Sequence, residues 1–167
     1  MRALIGVLFL LLTAVLPATS HLHVEYSVPE ELEVKILQKL FLDILKKKEV
    51  RVFLVGDKRE RYRKNIERFA KKLKVVESCK DADITLIAGF VEKFPRDCLE
   101  GLLFSTKREN LFKFRNCLGA FYWKKGRPNL VLIRERLEKH RIELPSEYDR
   151  FIESEVKVEE LRRGMRV

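Results

Sequence analysis

Short apolar runs recur along this chain, and segments with a helical spacing of apolar residues separate them. Val50–Val55 is a six-residue, mostly apolar run, and residues 84–88 and 102–105 are similar. The first two runs are each followed by a glycine, Gly56 and Gly89. Nearly continuous apolar strands that alternate with helices are typical of a parallel sheet with both faces covered. The pattern therefore predicts an α/β fold with a mostly parallel sheet covered by helices on both faces.

Amphipathic helices are predicted on either side of the first run. The earlier helix has an apolar stripe formed by Leu37, Leu40, Phe41, Ile44 and Leu45. The later helix has its stripe at Tyr62, Ile66, Phe69 and Leu73. Three segments that begin at Ser27, Asp57 and Thr106 have a glutamate three residues later, which is the form of a capping box. Helix starts are predicted at these three positions.

A C-terminal antiparallel β-hairpin is predicted from two apolar runs, residues 118–123 and 129–133, joined by the polar, glycine-containing residues 124–127. The spacing then becomes helical, which predicts closing helices that fold back over this last edge of the sheet. Residues 154–167 are highly charged, and we expect them to form a frayed tail.

The first 20 residues have the features of a secretory signal peptide. Residues 3–16 are an apolar run, and small residues follow the break at Pro17. The run is shorter than the roughly 20 residues of a membrane span. We therefore expect residues 1–20 to be removed, residues 21–153 to form a single domain, and the protein to reach a bacterial periplasm. An uncleaved anchor is the alternative.

The chain is basic, with 35 Lys and Arg residues against 25 Asp and Glu and a formal net charge of +10. Such a surface attracts nucleic acid, anionic lipid or an acidic protein partner. Export favours the last two and argues against nucleic acid. The alternative is that 36% charged residues reflect the ion-pair networks of a thermophile. On that interpretation, the basic face of the helix after Gly56 is simply solvated.

Recognisable catalytic motifs are missing from the sequence. It has no Gly-x-Ser-x-Gly elbow, no His-Glu-x-x-His and no phosphate-binding glycine loop. We therefore expect a protein that is not an enzyme and uses no cofactor. His21 and His23 are a separate hypothesis: if cleavage leaves His21 first, the amine, two amide nitrogens and the His23 imidazole suit Cu(II) or Ni(II).

Three cysteines allow one disulfide and one free thiol in an oxidising compartment. We favour Cys79–Cys98, which would close a loop of about 20 residues and stabilise the fold by about 3 kcal/mol. A redox-responsive bridge is the sharper hypothesis. The alternative is that Cys79, Cys98 and Cys117 are all buried free thiols that act as small apolar residues.

Several segments, in order and at comparable spacing over residues 32–152, resemble the YfiR-like family of small periplasmic regulatory proteins. The matching segments are residues 53–57, 84–87, 102–105, 118–123, 126–133 and 137–146. The family's cysteine positions do not map onto those of this chain, so the resemblance implies no pairing. It implies a periplasmic repressor that binds the periplasmic domain of a membrane sensor protein, such as a diguanylate cyclase, and holds down cyclic-di-GMP synthesis, with redox state affecting its activity.

The expected function is therefore regulatory or sensory binding. Tyr122 and Trp123 are the candidate partner-binding residues, because adjacent strand positions point to opposite faces and one core cannot easily bury both. The alternative is that helices cover both faces of the sheet at this strand, so that Tyr122 and Trp123 are buried and bind no partner. The partner is expected to be a membrane-bound sensor protein, with a homodimer also open. The alternative function is a receptor for a small anion or metabolite, in a crevice near Gly56, Asp57 and Gly89 at the carboxyl ends of strands. The third possible function is that of an enzyme, with catalytic carboxylates that come together only in the folded chain.

Overall fold

The computed structural model describes residues 29–164. The predicted signal segment, the first predicted helix start at Ser27, and the candidate metal ligands His21 and His23 lie outside these residues. The strands are β1 (Val50–Val55), β2 (Leu73–Val76), β3 (Ile84–Ile87), β4 (Leu103–Ser105), β5 (Cys117–Lys124), β6 (Arg127–Ile133) and β7 (Ile152–Glu153). The helices are α1 (Pro29–Leu45), α2 (Arg59–Phe69), α3 (Asn110–Lys113), α4 (Arg134–Lys139) and α5 (Glu155–Gly164), with short 3-10 helices at Arg96–Cys98 and Ser146–Phe151.

All seven strands form one sheet in the order β2-β1-β3-β4-β5-β6-β7. Every neighbouring pair is parallel except β5 and β6, which are antiparallel. Between β5 and β6, Lys125 and Gly126 both have positive φ, of 52° and 73°, as a two-residue turn that follows the twist of the strands requires. The predicted mostly parallel α/β fold is confirmed.

Helices cover both faces of the sheet, as the continuous apolar strands predict. One hydrophobic cluster packs α1 and α2 against the first face, with Phe41 and Phe104 edge to face at 5.4 Å. The other cluster packs α3 and α5 against the second face, with Leu111 and Val158 at its centre. All four residues of β3 are buried, because that strand lies inside the sheet and is covered from both sides.

The end of the chain differs from the expectation. The hairpin is not the last edge of the sheet, since β7 pairs parallel with β6 through Leu132 and Ile152. In place of a frayed tail, α5 packs on the second face and Val158 is only 1% exposed. The charged sequence of α5 conceals this docking because the buried side chain of Val158 and ion pairs such as Arg136–Glu155 help to hold the helix.

Two predicted helix starts are also displaced. Helix α2 begins at Arg59 after Lys58, with no side-chain cap, and α3 begins at Asn110. The side chains of Asp57 and Thr106, which the capping-box pattern assigned to these helices, instead accept hydrogen bonds from the loop that follows β3. Their choice of partner depends on a contact with a distant part of the chain.

The structure joins Cys79 and Cys98 in a disulfide, the pairing favoured from the sequence, and Cys117 is a buried free cysteine. The bridge ties the segment between β2 and β3 to the 3-10 helix at Arg96–Cys98. It is compatible with an extracellular or periplasmic location. None of the helices within residues 29–164 combines the length and the apolar character needed to cross a membrane.

Reduction of this bridge should lower the free energy of unfolding by about 3 kcal/mol, because the cross-link restricts a loop of about 20 residues in the unfolded chain. Denaturant unfolding with and without dithiothreitol measures the change. Cys117→Ala should keep the sensitivity to reductant, whereas the double variant Cys79→Ala/Cys98→Ala should lose it. Equal stability of the oxidised and reduced parent would contradict the prediction.

A buried arginine holds the C-terminal elements together. Arg136 on α4 is 4% exposed, and its guanidinium donates to three backbone oxygens, those of Leu111, Phe114 and Cys117, at 2.8 to 3.1 Å. It also pairs with Glu155 at the start of α5 at 2.7 Å, which holds the pKa of that carboxyl below its usual range. One side chain therefore connects α3, β5, α4 and α5.

Arg136→Met should lower the free energy of unfolding by about 3–5 kcal/mol, because three buried carbonyl groups and a carboxylate lose their donor. Arg134→Met, at an exposed position two residues away, should change it by less than about 0.5 kcal/mol. Urea unfolding of the two variants tests this. Similar stabilities would mean that the hydrogen bonds that Arg136 donates contribute little to the free energy of unfolding.

Candidate functional site

The space between Gly56 and Gly89, at the carboxyl ends of β1 and β3, is filled by the chain itself, while a separate pocket of about 370 Å³ includes Val55 and Gly56 in its lining. The backbone N–H of Asp57 donates to the Phe90 carbonyl at 2.9 Å, and the N–H of Phe90 donates to the Asp57 carboxylate at 2.7 Å. The N–H of Lys58 donates to the Ala88 carbonyl at 3.1 Å. These reciprocal bonds clamp the two strand ends together and leave their polar groups satisfied.

The two glycines of this crevice allow the close approach. Gly56 has φ of 112° and lies against the Ala88 carbonyl, where any Cβ would clash with the backbone. Gly89 has φ of 81°, and a Cβ there would clash with the Asp57 carboxylate. Gly56, Asp57 and Gly89 are therefore brought together, as predicted, but in an arrangement that closes the space between them.

Side chains beyond β4 complete the same clamp. The hydroxyl of Thr106 accepts a hydrogen bond from the Gly89 N–H at 2.9 Å. The amide of Asn110 donates to the Gly89 carbonyl at 2.9 Å and to the Ser105 hydroxyl at 2.8 Å. The side chains of Ser105, Thr106 and Asn110 thus stabilise the fold at this edge of the sheet.

An open cleft of about 550 Å³ lies beside this clamp. β4 ends opposite Ala120, so the last four residues of β5 extend past it as an overhang paired with β6. This overhang, α1, α2 and the loop after β4 form the walls. The lining residues are Glu33, Lys58, Arg61, Tyr62, Thr106, Lys107, Arg108, Glu109, Tyr122, Trp123 and Lys124. A volume of this size is in the range of sites for small ligands.

A buried carboxylate connects three walls of the cleft. Glu33 on α1 is 4% exposed and accepts hydrogen bonds from the Tyr62 hydroxyl on α2 and from the Trp123 indole N–H at 3.3 Å. Burial raises the pKa of Glu33, and the two hydrogen bonds oppose that rise. The pKa of Tyr62 is also raised, mainly by burial and then by the nearby Glu33 charge.

The predicted partner-binding residues both line this cleft. Trp123 is 36% exposed, and its ring packs edge to face on Phe121 at 6.1 Å. Tyr122 is half-buried and packs against the cluster on the opposite face of the sheet. Their side chains alternate across the strand, as predicted. At the end of β5, however, both reach the same concave edge.

Sequence reasoning missed Glu33 as part of this site. Glu33 lies between Leu32 and Val34 on α1, and its sequence position is typical of the polar, solvent-facing residues of an amphipathic helix. Lys58 and Arg61 belong to the basic face of the helix after Gly56, which the sequence pattern favours as a solvated surface. The sequence carries no signal that joins these residues to Trp123, which lies 90 residues after Glu33.

Within residues 29–164 no three His, Cys, Asp or Glu side chains are grouped so that they could hold a metal ion.

No protein-family model matches the chain, and no curated protein sequence matches it. One similar solved structure is a conserved domain protein from Vibrio cholerae O1 biovar eltor, with a TM-score of 0.47 and 11% identity. The match covers 75% of this chain and 60% of that one, which is less than two thirds of its length. Likeness at this level supports no conclusion about function.

Glu33→Gln should change how stability depends on pH. Because the pKa of Glu33 is raised in the folded protein, its contribution to stability is fully present below the unfolded pKa of about 4.5 and is lost as the pH rises through the folded pKa. The amide cannot ionise, and Tyr62 can turn to accept from it. The variant should therefore gain stability relative to the parent as the pH rises above about 4.5 and through the folded pKa.

Denaturant unfolding at a series of pH values gives this difference, in which the contributions of the other carboxylates cancel. Glu67→Gln, at an exposed position on α2, should follow the parent at each pH. A constant difference between Glu33→Gln and the parent across the range would show that Glu33 titrates alike in the folded and unfolded chains.

Proposed function

We propose that this chain is an exported, non-catalytic regulatory or sensory protein that acts by binding another protein through the overhanging end of β5. The observation that supports this most is the state of Trp123. Its indole is 36% exposed, yet its N–H is bonded to Glu33 and its ring rests on Phe121. A large aromatic side chain already held in one orientation loses little entropy on binding, and tryptophan is enriched among the residues that dominate interfaces.

The proposed partner is the periplasmic domain of a membrane-bound sensor protein, and a diguanylate cyclase is the partner that the resemblance to YfiR-like proteins suggests. The Cys79–Cys98 bridge is compatible with a periplasmic location. The bridge also supports a redox-responsive role, because its reduction would release the segment before β3. In this role the chain restrains cyclic-di-GMP synthesis while its own site carries out no reaction.

Trp123→Ala should weaken partner binding by about tenfold or more, as expected for the loss of a central aromatic contact. The fold should survive, because the ring is part-exposed at a strand end. In cells that carry the gene, a photoreactive amino acid at position 123 should cross-link to a membrane-bound sensor, which mass spectrometry identifies. The same amino acid at Val156, 66% exposed on α5, is the matched control.

Cyclic-di-GMP provides the functional measurement. Deleting the gene should raise the cellular level, and the parent chain, but not Trp123→Ala, should restore it. Circular dichroism and thermal unfolding of the purified variant separate a lost contact from a lost fold. Unfolding of Trp123→Ala, equal cross-linking from positions 123 and 156, or a level that does not respond to the gene would each contradict the proposal.

A further inference from the structure

Basic side chains from three separate segments converge on the cleft beside the carboxyl edge. Lys58 immediately precedes α2 and Arg61 lies in its first turn, Lys107 and Arg108 come from the loop after β4, and Lys124 comes from the end of β5. Gathering like charges on a concave surface is unfavourable, because each raises the potential that the others experience. The repulsion within this cluster indicates that another interaction, such as binding of an anion, offsets it.

Ion pairing within the protein does not neutralise this cluster. Among the residues that the structure describes, no carboxylate oxygen lies within 4.0 Å of the ammonium groups of Lys58, Lys107 or Lys124. Lys107 instead lies 4.9 Å above the ring of Phe90. Some cations elsewhere are matched with an acid, as Lys47 is with Asp83 at 2.6 Å, but other exposed lysines lack one among these residues, so what marks the three cleft lysines is that they line one concave surface.

The acids of the cleft leave its positive charge in place. Five basic and two acidic side chains line it, an excess of three positive charges that falls to one when the partners of Arg61 and Arg108 outside the lining are counted. Of the two acids, Glu33 is buried and already accepts from Tyr62 and Trp123. Arg61 and Arg108 have carboxylate partners outside the lining, Glu30 at 3.1 Å and Glu153 at 3.4 Å. The three lysines are thus the groups with free capacity for a ligand.

We propose that this cleft binds a compact anion that carries at least two negative charges, a phosphate or a di- or tricarboxylate, between Lys58, Lys107 and Lys124. The cleft volume of about 550 Å³ accommodates such an anion with its surrounding water. The site is distinct from the filled crevice at Gly56, Asp57 and Gly89. It shares the cleft with Tyr122 and Trp123, but its test changes only lysines, so failure of the anion site and failure of the proposed partner binding can be told apart.

The test compares two triple variants of equal charge. The cleft variant is Lys58→Gln/Lys107→Gln/Lys124→Gln. The control is Lys48→Gln/Lys64→Gln/Lys72→Gln, in which three exposed lysines outside the cleft are changed. Titration calorimetry with pyrophosphate and with citrate at constant ionic strength gives the affinities, and thermal unfolding with each anion gives an independent measure. Circular dichroism and the melting temperature without ligand verify folding, and the three single variants replace the cleft triple if it does not fold.

We expect pyrophosphate or citrate to raise the melting temperature of the parent and of the control variant alike. The cleft variant should bind about tenfold or more weakly, and the parent affinity should fall as salt is added, as contacts between charges require. No binding of either anion to the parent at about 10 mM, together with no binding to anionic vesicles, would overturn the proposal. So would equal losses in the two triple variants, because they would indicate a diffuse attraction of charge.

Vesicles distinguish the source of the anion. If the phosphate belongs to a lipid headgroup, phosphatidylglycerol vesicles should retain the parent and the control variant but not the cleft variant, and phosphatidylcholine vesicles should retain none. If the anion is a free metabolite, the cleft variant should lose soluble-anion binding while vesicle retention is weak throughout. Either result supports the site and shows whether the bound anion is a lipid headgroup or a free metabolite.

Discussion

The burial of Glu33 is the constraint on which the arrangement of the candidate site depends. A carboxylate removed from water must accept hydrogen bonds, because an unpaired buried charge is very costly. The two donors available to Glu33 come from α2 and from the end of β5, so satisfying one side chain joins three elements. The same bonds hold the indole of Trp123 in one orientation while its outer part stays exposed. An internal requirement of the fold thus shapes the surface proposed for partner binding.

A second feature explains where the open cleft lies. In doubly wound sheets, ligands bind beyond the carboxyl ends of strands, where neighbouring connections diverge. Here that place, between β1 and β3, is closed by Gly56, Asp57 and Gly89. The opening is displaced along the same edge to the overhang of β5, because β4 ends four residues before its neighbour. The fold keeps the usual edge for binding but builds the site from the hairpin and two helices.

Charge serves two purposes in this molecule. Arg136 and Asp83 are largely removed from water and fully paired, and they join elements that are distant along the chain. The Asp83 carboxyl has its pKa lowered to about 2; burial alone would raise it, but hydrogen bonds from Arg51 and Lys47 outweigh that effect. The lysines of the cleft have no such partners among the described residues. Other exposed lysines, such as Lys48, also lack a partner among these residues, so the convergence of Lys58, Lys107 and Lys124 on one cleft is what distinguishes them as cations with capacity for a ligand.

The sequence by itself determined the main apolar strands, though not β7, the mostly parallel sheet with covered faces, the turn at Gly126 and the opposite directions of Tyr122 and Trp123. These features follow from local apolar spacing and from the conformational freedom of glycine. The Cys79–Cys98 pairing was favoured but not required. Tertiary structure alone decided that Asp57 and Thr106 would bind the loop after β3, that the charged end of the chain would dock as α5, and that Glu33 would meet Trp123. The physical reason is that a polar side chain takes whichever partner the fold brings within about 3 Å, and that partner lies 17 to 90 residues away for Asp57, Thr106 and Glu33.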